Sequence, residues 1–258
     1  MEARPSYSFG SILWLTLVVI YASVALHEAG HWLMLELYGR GPTMGFAGIV
    51  QRWDEPPLHP EHWQKIEYPE VGIGWMRLES LPETDLEWAI MLLAGQLVPL
   101  ILIVLGIFLY RRHGTARAGV LGLMLVFVNG AMGLGKLIGL LQGARGDLYF
   151  FSLHVPVNPT PLKLGFIGVQ LAGLVWVWQK LSPSWRRLWG GSLVLGYFLI
   201  IIPLRIADGY LRQQVNLEAG WAQPLLGWSR PVLLAHALVA ALFVLWWWRQ
   251  PAKTPQTG

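Results

Sequence analysis

The chain reads as six nearly unbroken apolar runs, at about 11–37, 88–110, 118–141, 162–181, 188–204 and 232–248, joined by polar connections. A hydrocarbon layer of about 30 Å takes about 20 helical residues to cross, so each run predicts a membrane-spanning helix, the last two being the shortest. One connection breaks the rhythm. Residues 38–87 form a polar stretch with two strand-like pieces, 45–53 and 71–78, on either side of the Pro-rich turn DEPPLHPEHW. At about 50 residues it is too long for a simple tether, which points to a working element. The first run also contains Ala22-Ser23-Val24-Ala25, the small-residue ending of a secretory signal. Cleavage there would leave the polar residues that follow at a frayed end, so the run is read as a retained helix. The expected fold is an all-α integral membrane protein of about six transmembrane helices with a small β-strand element in the first long loop. It forms one multi-pass domain over 1–249, followed by a disordered tail over 250–258.

Composition narrows the classes. The chain is 54% hydrophobic and 13% charged, with mean hydropathy +0.46. Soluble domains carry about 25% charged residues, so a soluble globular fold, a disordered chain and a nucleic-acid-binding chain are all excluded. The formal charge of +4 is spread through loops and forms no basic cluster. Many of the 15 tryptophans sit beside the ends of the apolar runs, as Trp185, Trp189 and Trp246–Trp248 do, where an amphipathic ring suits the headgroup layer. Lysine and arginine divide evenly, nine on each side of the membrane with Lys136 inside a helix, so the positive-inside rule leaves orientation open. With no cysteine, any metal must be held by His, Asp or Glu.

His27-Glu28-Ala29-Gly30-His31 lies late in the first run. The spacing sets two imidazoles at i and i+4 on one helix face, able to hold one Zn²⁺ at about 2.0–2.1 Å each, with the Glu28 carboxylate one residue along. Only seven histidines occur in the chain, and such a spacing arises by chance roughly once in a hundred chains of this composition. Ionisable residues inside a spanning helix are costly and mark function by default. Counted from Tyr38, His31 and His27 lie about 10 and 16 Å into the helix, a depth that a polar cavity can reach.

A hydrolytic zinc site takes three protein ligands and leaves one position open. Asp147, in QGARGD just past the third run, is the aspartate at an apolar-helix end bordered by small flexible residues. The first and third helices end on the same membrane face, so Asp147 can meet the histidines; the alternative is an exposed loop carboxylate paired with Arg145. Asp85 and Glu87, at the start of the second helix, are the next candidates for the ligand. Asn129 in the third run is a candidate oxyanion donor or substrate contact, while Lys136 and His236 read as bonds between helices. His59 and His62 read as a surface pair. Arg205 and Asp208 are expected to form an ion pair, and Gly130, Gly133, Gly135 and Gly139 a helix-packing face, with Gly135 and Gly139 as the small-xxx-small pair of close approach.

Together these residues resemble the site-2 protease family of intramembrane zinc metalloproteases. The resemblance covers about residues 11–150: HEAGH late in an apolar helix, a strand-bearing loop after it, Ala94-Gly95-Gln96 similar to that family's Ala-Gly-Pro region, and a later aspartate. The first motif is specific and the others are loose. Asp147 is not set in an Asn-Pro-Asp-Gly or Leu-Asp-Gly context, and Asn158-Pro159 lacks the following Asp-Gly. The resemblance implies that His27, His31 and Asp147 bind Zn²⁺, that Glu28 is the catalytic carboxylate, and that the activity is hydrolysis of peptide bonds in or beside a substrate's transmembrane segment. Its partners would be the lipid bilayer, most simply the cell membrane, and a membrane-spanning protein, with no nucleic acid. The zinc-side loops would face the cytoplasm. The rival reading is a non-catalytic zinc-binding membrane protein, either a degenerate relative or a metal-handling one.

Overall fold

The computed structural model describes residues 7–68 and 71–249, so the tail over 250–258 lies outside the described residues. Among the described residues, six helices are long and apolar enough to cross a membrane: α1 (Phe9–Leu37), α2 (Asp85–His113), α3 (Arg117–Leu141), α5 (Pro159–Lys180), α6 (Pro183–Asn216) and α7 (Arg230–Arg249). A short helix, α4 (Asp147–His154), follows α3 and was not expected from the apolar pattern. The chain is an all-α integral membrane protein with a few small strands, as its sequence predicts.

Local chemistry sets the helix starts. Ser8 Oγ accepts from Ser11 N–H at 3.2 Å at the head of α1, and Thr84 Oγ1 accepts from Glu87 N–H at 3.2 Å at the head of α2. Pro99 and Pro203 sit inside α2 and α6 without ending them, as spanning helices tolerate. Passing Pro203, α6 runs to Asn216, twelve residues beyond the apolar run that predicts it. Close contacts between helices use small residues. A Cβ on Gly106 of α2 or Gly122 of α3 would overlap the other's carbonyl oxygen, and a Cβ on Gly130 or Gly133 of α3 would press on Gln170 and Leu174 of α5. Of the four glycines expected to pack, Gly130 and Gly133 do and the small-xxx-small pair does not: Gly135 meets nothing and Gly139 only Ala144 Cβ at 3.4 Å, and both line an apolar cavity instead. The face of α3 that meets α5 carries Gly130 and Gly133, and Gly139 stands about 180° round the helix from Gly130.

The strands lie at the end of the bundle where α1 stops and α2 begins. β1 (Met44–Gly45), β2 (Gly48–Ile49), β7 (Trp228–Ser229) and β6 (Pro224–Leu225) form one sheet in the order β2-β1-β7-β6. β3 (Gln51–Trp53), β5 (Gly72–Met76) and β4 (Gln64–Tyr68) form a second in the order β3-β5-β4. Thus the expected piece 71–78 contains β5, while the piece 45–53 divides into a tight hairpin and β3. A cluster including Leu35, Met44, Val50, Trp63, Met91 and Trp228 packs this end. Arg40 ties the loop to the head of α2: it bonds Glu87 Oε2 at 2.7 and 3.1 Å, Glu83 Oε1 at 2.9 Å and Ser80 Oγ at 3.2 Å.

Candidate metal centre

α1 presents His27 and His31 one turn apart, their Nε2 atoms 3.3 Å from each other. α1 can lie close to α2 because Gly30 and Gly95 have no side chains: a Cβ on Gly30 would come to 2.9 Å from Ala94 O, and one on Gly95 would strike His31 Nε2. His31 is buried, and its Nδ1 lies 2.8 Å from Met91 O. A carbonyl only accepts, so Nδ1 carries the proton and Nε2 keeps its lone pair for the site, the arrangement that orients a metal-binding imidazole.

Asp147 arrives from the other side. Between α3 and α4 the chain turns through Gly143 (φ +72°) and Gly146 (φ +142°), positive values that glycine adopts without strain, and Asp147 becomes the first residue of α4. Its Oδ2 lies 3.2 Å from His27 Nε2 and 3.4 Å from His31 Nε2.

The fit to an ion follows from these edges. Three donors bound at about 2.0–2.1 Å in tetrahedral directions stand about 3.3–3.4 Å apart. The three edges here are 3.2, 3.3 and 3.4 Å, one face of such a tetrahedron. His27, His31 and Asp147 are therefore a group able to hold a metal ion. The fallback ligands are engaged elsewhere: Asp85 Oδ1 bonds His154 Nδ1 at 2.8 Å and Glu87 bonds Arg40.

A cavity of about 510 Å³ opens over the triangle, lined by His27, Glu28, His31 and Asp147 together with Gly48, Gln51, Trp53 and Tyr68. Glu28 faces it without joining the donor triangle. Gly48 brings β2 against that carboxylate: a Cβ there would stand 3.4 Å from Glu28 Oε2. β2 is an outer strand of its sheet, and Gly48 and Ile49 line the cavity. Burial pushes the Tyr68 phenol up to about 12, keeping it a neutral donor.

A second cavity, of about 990 Å³ and mostly apolar, lies on the opposite flank of Asp147 between α3, α5 and α6. Gln96 and Lys136 stand on its wall beside Asp147.

Other expected residues lie outside the triangle. Asn129 is fully buried, its Nδ2 donating to Ser23 Oγ at 3.1 Å and Leu125 O at 2.9 Å, and it lines neither cavity; the small Ser23 on α1 draws it into helix packing. His59 and His62 are half exposed, near Glu61 and Glu218, as a surface pair should be. His236 bonds Tyr21 Oη at 2.7 Å, the bond between helices that its position suggests.

Asp208 pairs with Arg212 at 2.6 Å, not with Arg205, which lines the apolar cavity. Its other oxygen accepts from Phe46 N–H at 2.7 Å and Ala47 N–H at 3.1 Å, and Arg212 reaches Ala47 O at 3.2 Å. This buried carboxylate clamps the β1–β2 turn to α6. In the sequence the two residues show only as an i, i+4 pair of opposite charge in a helix, with no sign of the hairpin they hold. Compared with known families, with curated proteins and with solved structures, the chain matches no family model, no curated protein and no solved structure.

Proposed function

We propose that this chain is an intramembrane zinc metalloprotease that cleaves peptide bonds in or beside the transmembrane segments of other membrane proteins. One observation carries the reading: a triangle of two imidazoles and a carboxylate with tetrahedral edges, sharing a cavity with a carboxylate, Glu28, that is not part of it. The donor set suits zinc. Imidazole suits Zn, Cu, Fe and Ni, whereas Mg²⁺ and Ca²⁺ prefer oxygen alone; two histidines with one carboxylate hold hydrolytic zinc and also non-haem iron(II), and it is the carboxylate of Glu28 beside the triangle that supports the hydrolytic ion. His27, His31 and Asp147 would hold the ion. When bound, it supplies Lewis acidity toward a water and toward the scissile carbonyl.

The remaining chemistry belongs to the chain. Glu28 follows His27 by one residue and points about 100° around the helix from it, toward the cavity rather than the triangle. There it accepts a proton from the attacking water as the water oxygen bonds to the carbonyl carbon. The C–N bond then breaks, and Glu28 returns the proton to the leaving nitrogen. A helical substrate keeps its carbonyls hydrogen-bonded, so it has to unwind before attack. The outer edge of β2, next to Glu28, offers backbone groups to the opened segment by strand addition. The partners are the bilayer of the cell membrane and a membrane-spanning protein.

The experiment is Glu28→Gln in the full chain, assayed against a panel of single-span substrates. The variant keeps the volume and hydrogen-bonding reach of Glu28 but accepts no proton. Metal content and melting should match the parent while cleavage falls by about 10²–10⁴-fold. Cleavage at the parent rate would refute the mechanism, and an inactive parent across the panel would favour a zinc-binding protein without catalysis.

A further inference from the structure

Of the three donors, two are fixed by one rigid helix, while Asp147 stands on a short helix reached through a glycine-bearing turn. Something else has to hold its carboxylate. Gln96 of α2 donates from Nε2 to Asp147 Oδ2 at 2.6 Å, the same oxygen that faces both imidazoles. Lys136 of α3 donates from Nζ to Gln96 Oε1 at 2.7 Å. Three helices are thus joined in one line of hydrogen bonds ending at the candidate ligand.

The direction of that line is set by chemistry. An ammonium only donates and a carboxylate only accepts. Facing both, the Gln96 amide has one satisfactory orientation: carbonyl toward Lys136 and NH₂ toward Asp147. Turned over, it would set NH₂ against the ammonium and oxygen against the carboxylate. Gln96 is buried at 7% exposure, so water does not readily relieve the wrong orientation. An ionisable side chain is costly in a spanning helix and is expected to be retained for a task.

We propose that Lys136 is a positioning residue for the metal centre: by orienting the Gln96 amide, it holds Asp147 Oδ2 at the third corner of the donor triangle. This rests on the reading of His27, His31 and Asp147 as metal ligands. It assigns work to Gln96, which stands where the family resembled has proline, and to Lys136, whose position in the third run suggests only helix packing.

The test uses the purified full chain in detergent, with zinc affinity measured by competition against a chromophoric chelator and ligand geometry by the visible spectrum of the cobalt(II)-substituted protein. The variants are Lys136→Met, Gln96→Leu, the double variant and Lys136→Arg. Lys136→Met removes a charge from a spanning helix and is expected to insert and fold. Each single apolar variant should weaken zinc binding by about 10–100-fold, the range for partners that orient a ligand, and should alter the cobalt bands. The double variant should be no weaker than the worse single one, because both act through the same oxygen. Lys136→Arg, which keeps a cationic donor, should recover most of the affinity and the parent spectrum.

Parent affinity and spectrum in Lys136→Met, whatever Gln96→Leu shows, with His31→Ala still devoid of metal, would overturn the positioning role and leave the metal centre standing. Additive losses in the double variant would also overturn it, since the two residues would then act separately. A parent chain that binds no metal would overturn both the positioning role and the metal centre beneath it. Should Lys136→Met fail to fold, Lys136→Arg and Gln96→Leu decide: loss in the second without recovery in the first counts against the proposal.

Discussion

α3 and α7 are both apolar enough to cross a membrane, yet 67% of the most apolar stretch of α3 is buried inside the protein against 6% for α7. Hydropathy does not separate them, because hydrocarbon tails and a protein interior are equally acceptable to Leu and Val. Their polar side chains do. α1, α2 and α3 carry His27, His31, Gln96 and Lys136, joined to one another through Asp147. α7 buries only Val232, and its His236 makes a single bond to Tyr21. In a membrane protein, then, the location of the chemistry is marked by which polar groups meet, more than by which helices are greasy.

The comparison breaks if the donors prove dispensable. The largest effect is expected from His31→Ala or Asp147→Ala: with one of three donors gone, bound zinc should fall from about one per chain to near zero by elemental analysis. Stoichiometric zinc in either variant would remove the buried helices' special standing.

Gly95→Ala tests the approach of α1 to α2 instead of the ligands. Its new methyl would strike His31 Nε2, so the imidazole has to shift. An affinity loss of about 10-fold or more is expected, along with the roughly 1–3 kcal/mol that overpacking costs, read from denaturant melts. Unchanged affinity would mean that the helices stand farther apart than described.

Asp208→Asn should act on the strands alone. Replacing the charge weakens the bond to Arg212 and the acceptance from Phe46 and Ala47, contacts worth about 1.5–3 kcal/mol each for a charged partner. Hydrogen exchange at the Phe46 and Ala47 amides should quicken and cleavage should fall, with zinc content untouched; loss of zinc would tie the clamp to the metal instead. The smallest effect belongs to Asp85→Ala. Its carboxylate is exposed and meets His154 away from the triangle, so metal content should not change.

Much of the centre is legible in the sequence for a definite reason. His27 and His31 are written four residues apart in one helix, and local spacing survives folding. Asp147 follows from counting helix ends, since an even number of crossings returns the chain to the same face. Residues whose role depends on a distant partner are harder to read. Gln96 gains meaning only between Lys136 and Asp147, and Asp208 only under the backbone of Phe46 and Ala47. Asn129 invites a catalytic reading until Ser23 is found beside it. β1, β2, β6 and β7 span two residues each, too short for alternation to appear in the chain. Gly130 and Gly133, not Gly135 and Gly139, meet α5, because glycines spread round a mostly apolar helix do not announce which of them a neighbour will cover.

The central claim, that two imidazoles and one carboxylate surround a single ion, is tested most directly by X-ray absorption at the zinc edge of the purified parent protein. The expected result is one zinc per chain with two imidazole nitrogens and oxygen donors at about 2.0–2.2 Å. Zinc surrounded by oxygen alone, or no zinc in a folded and fully inserted protein, would contradict it.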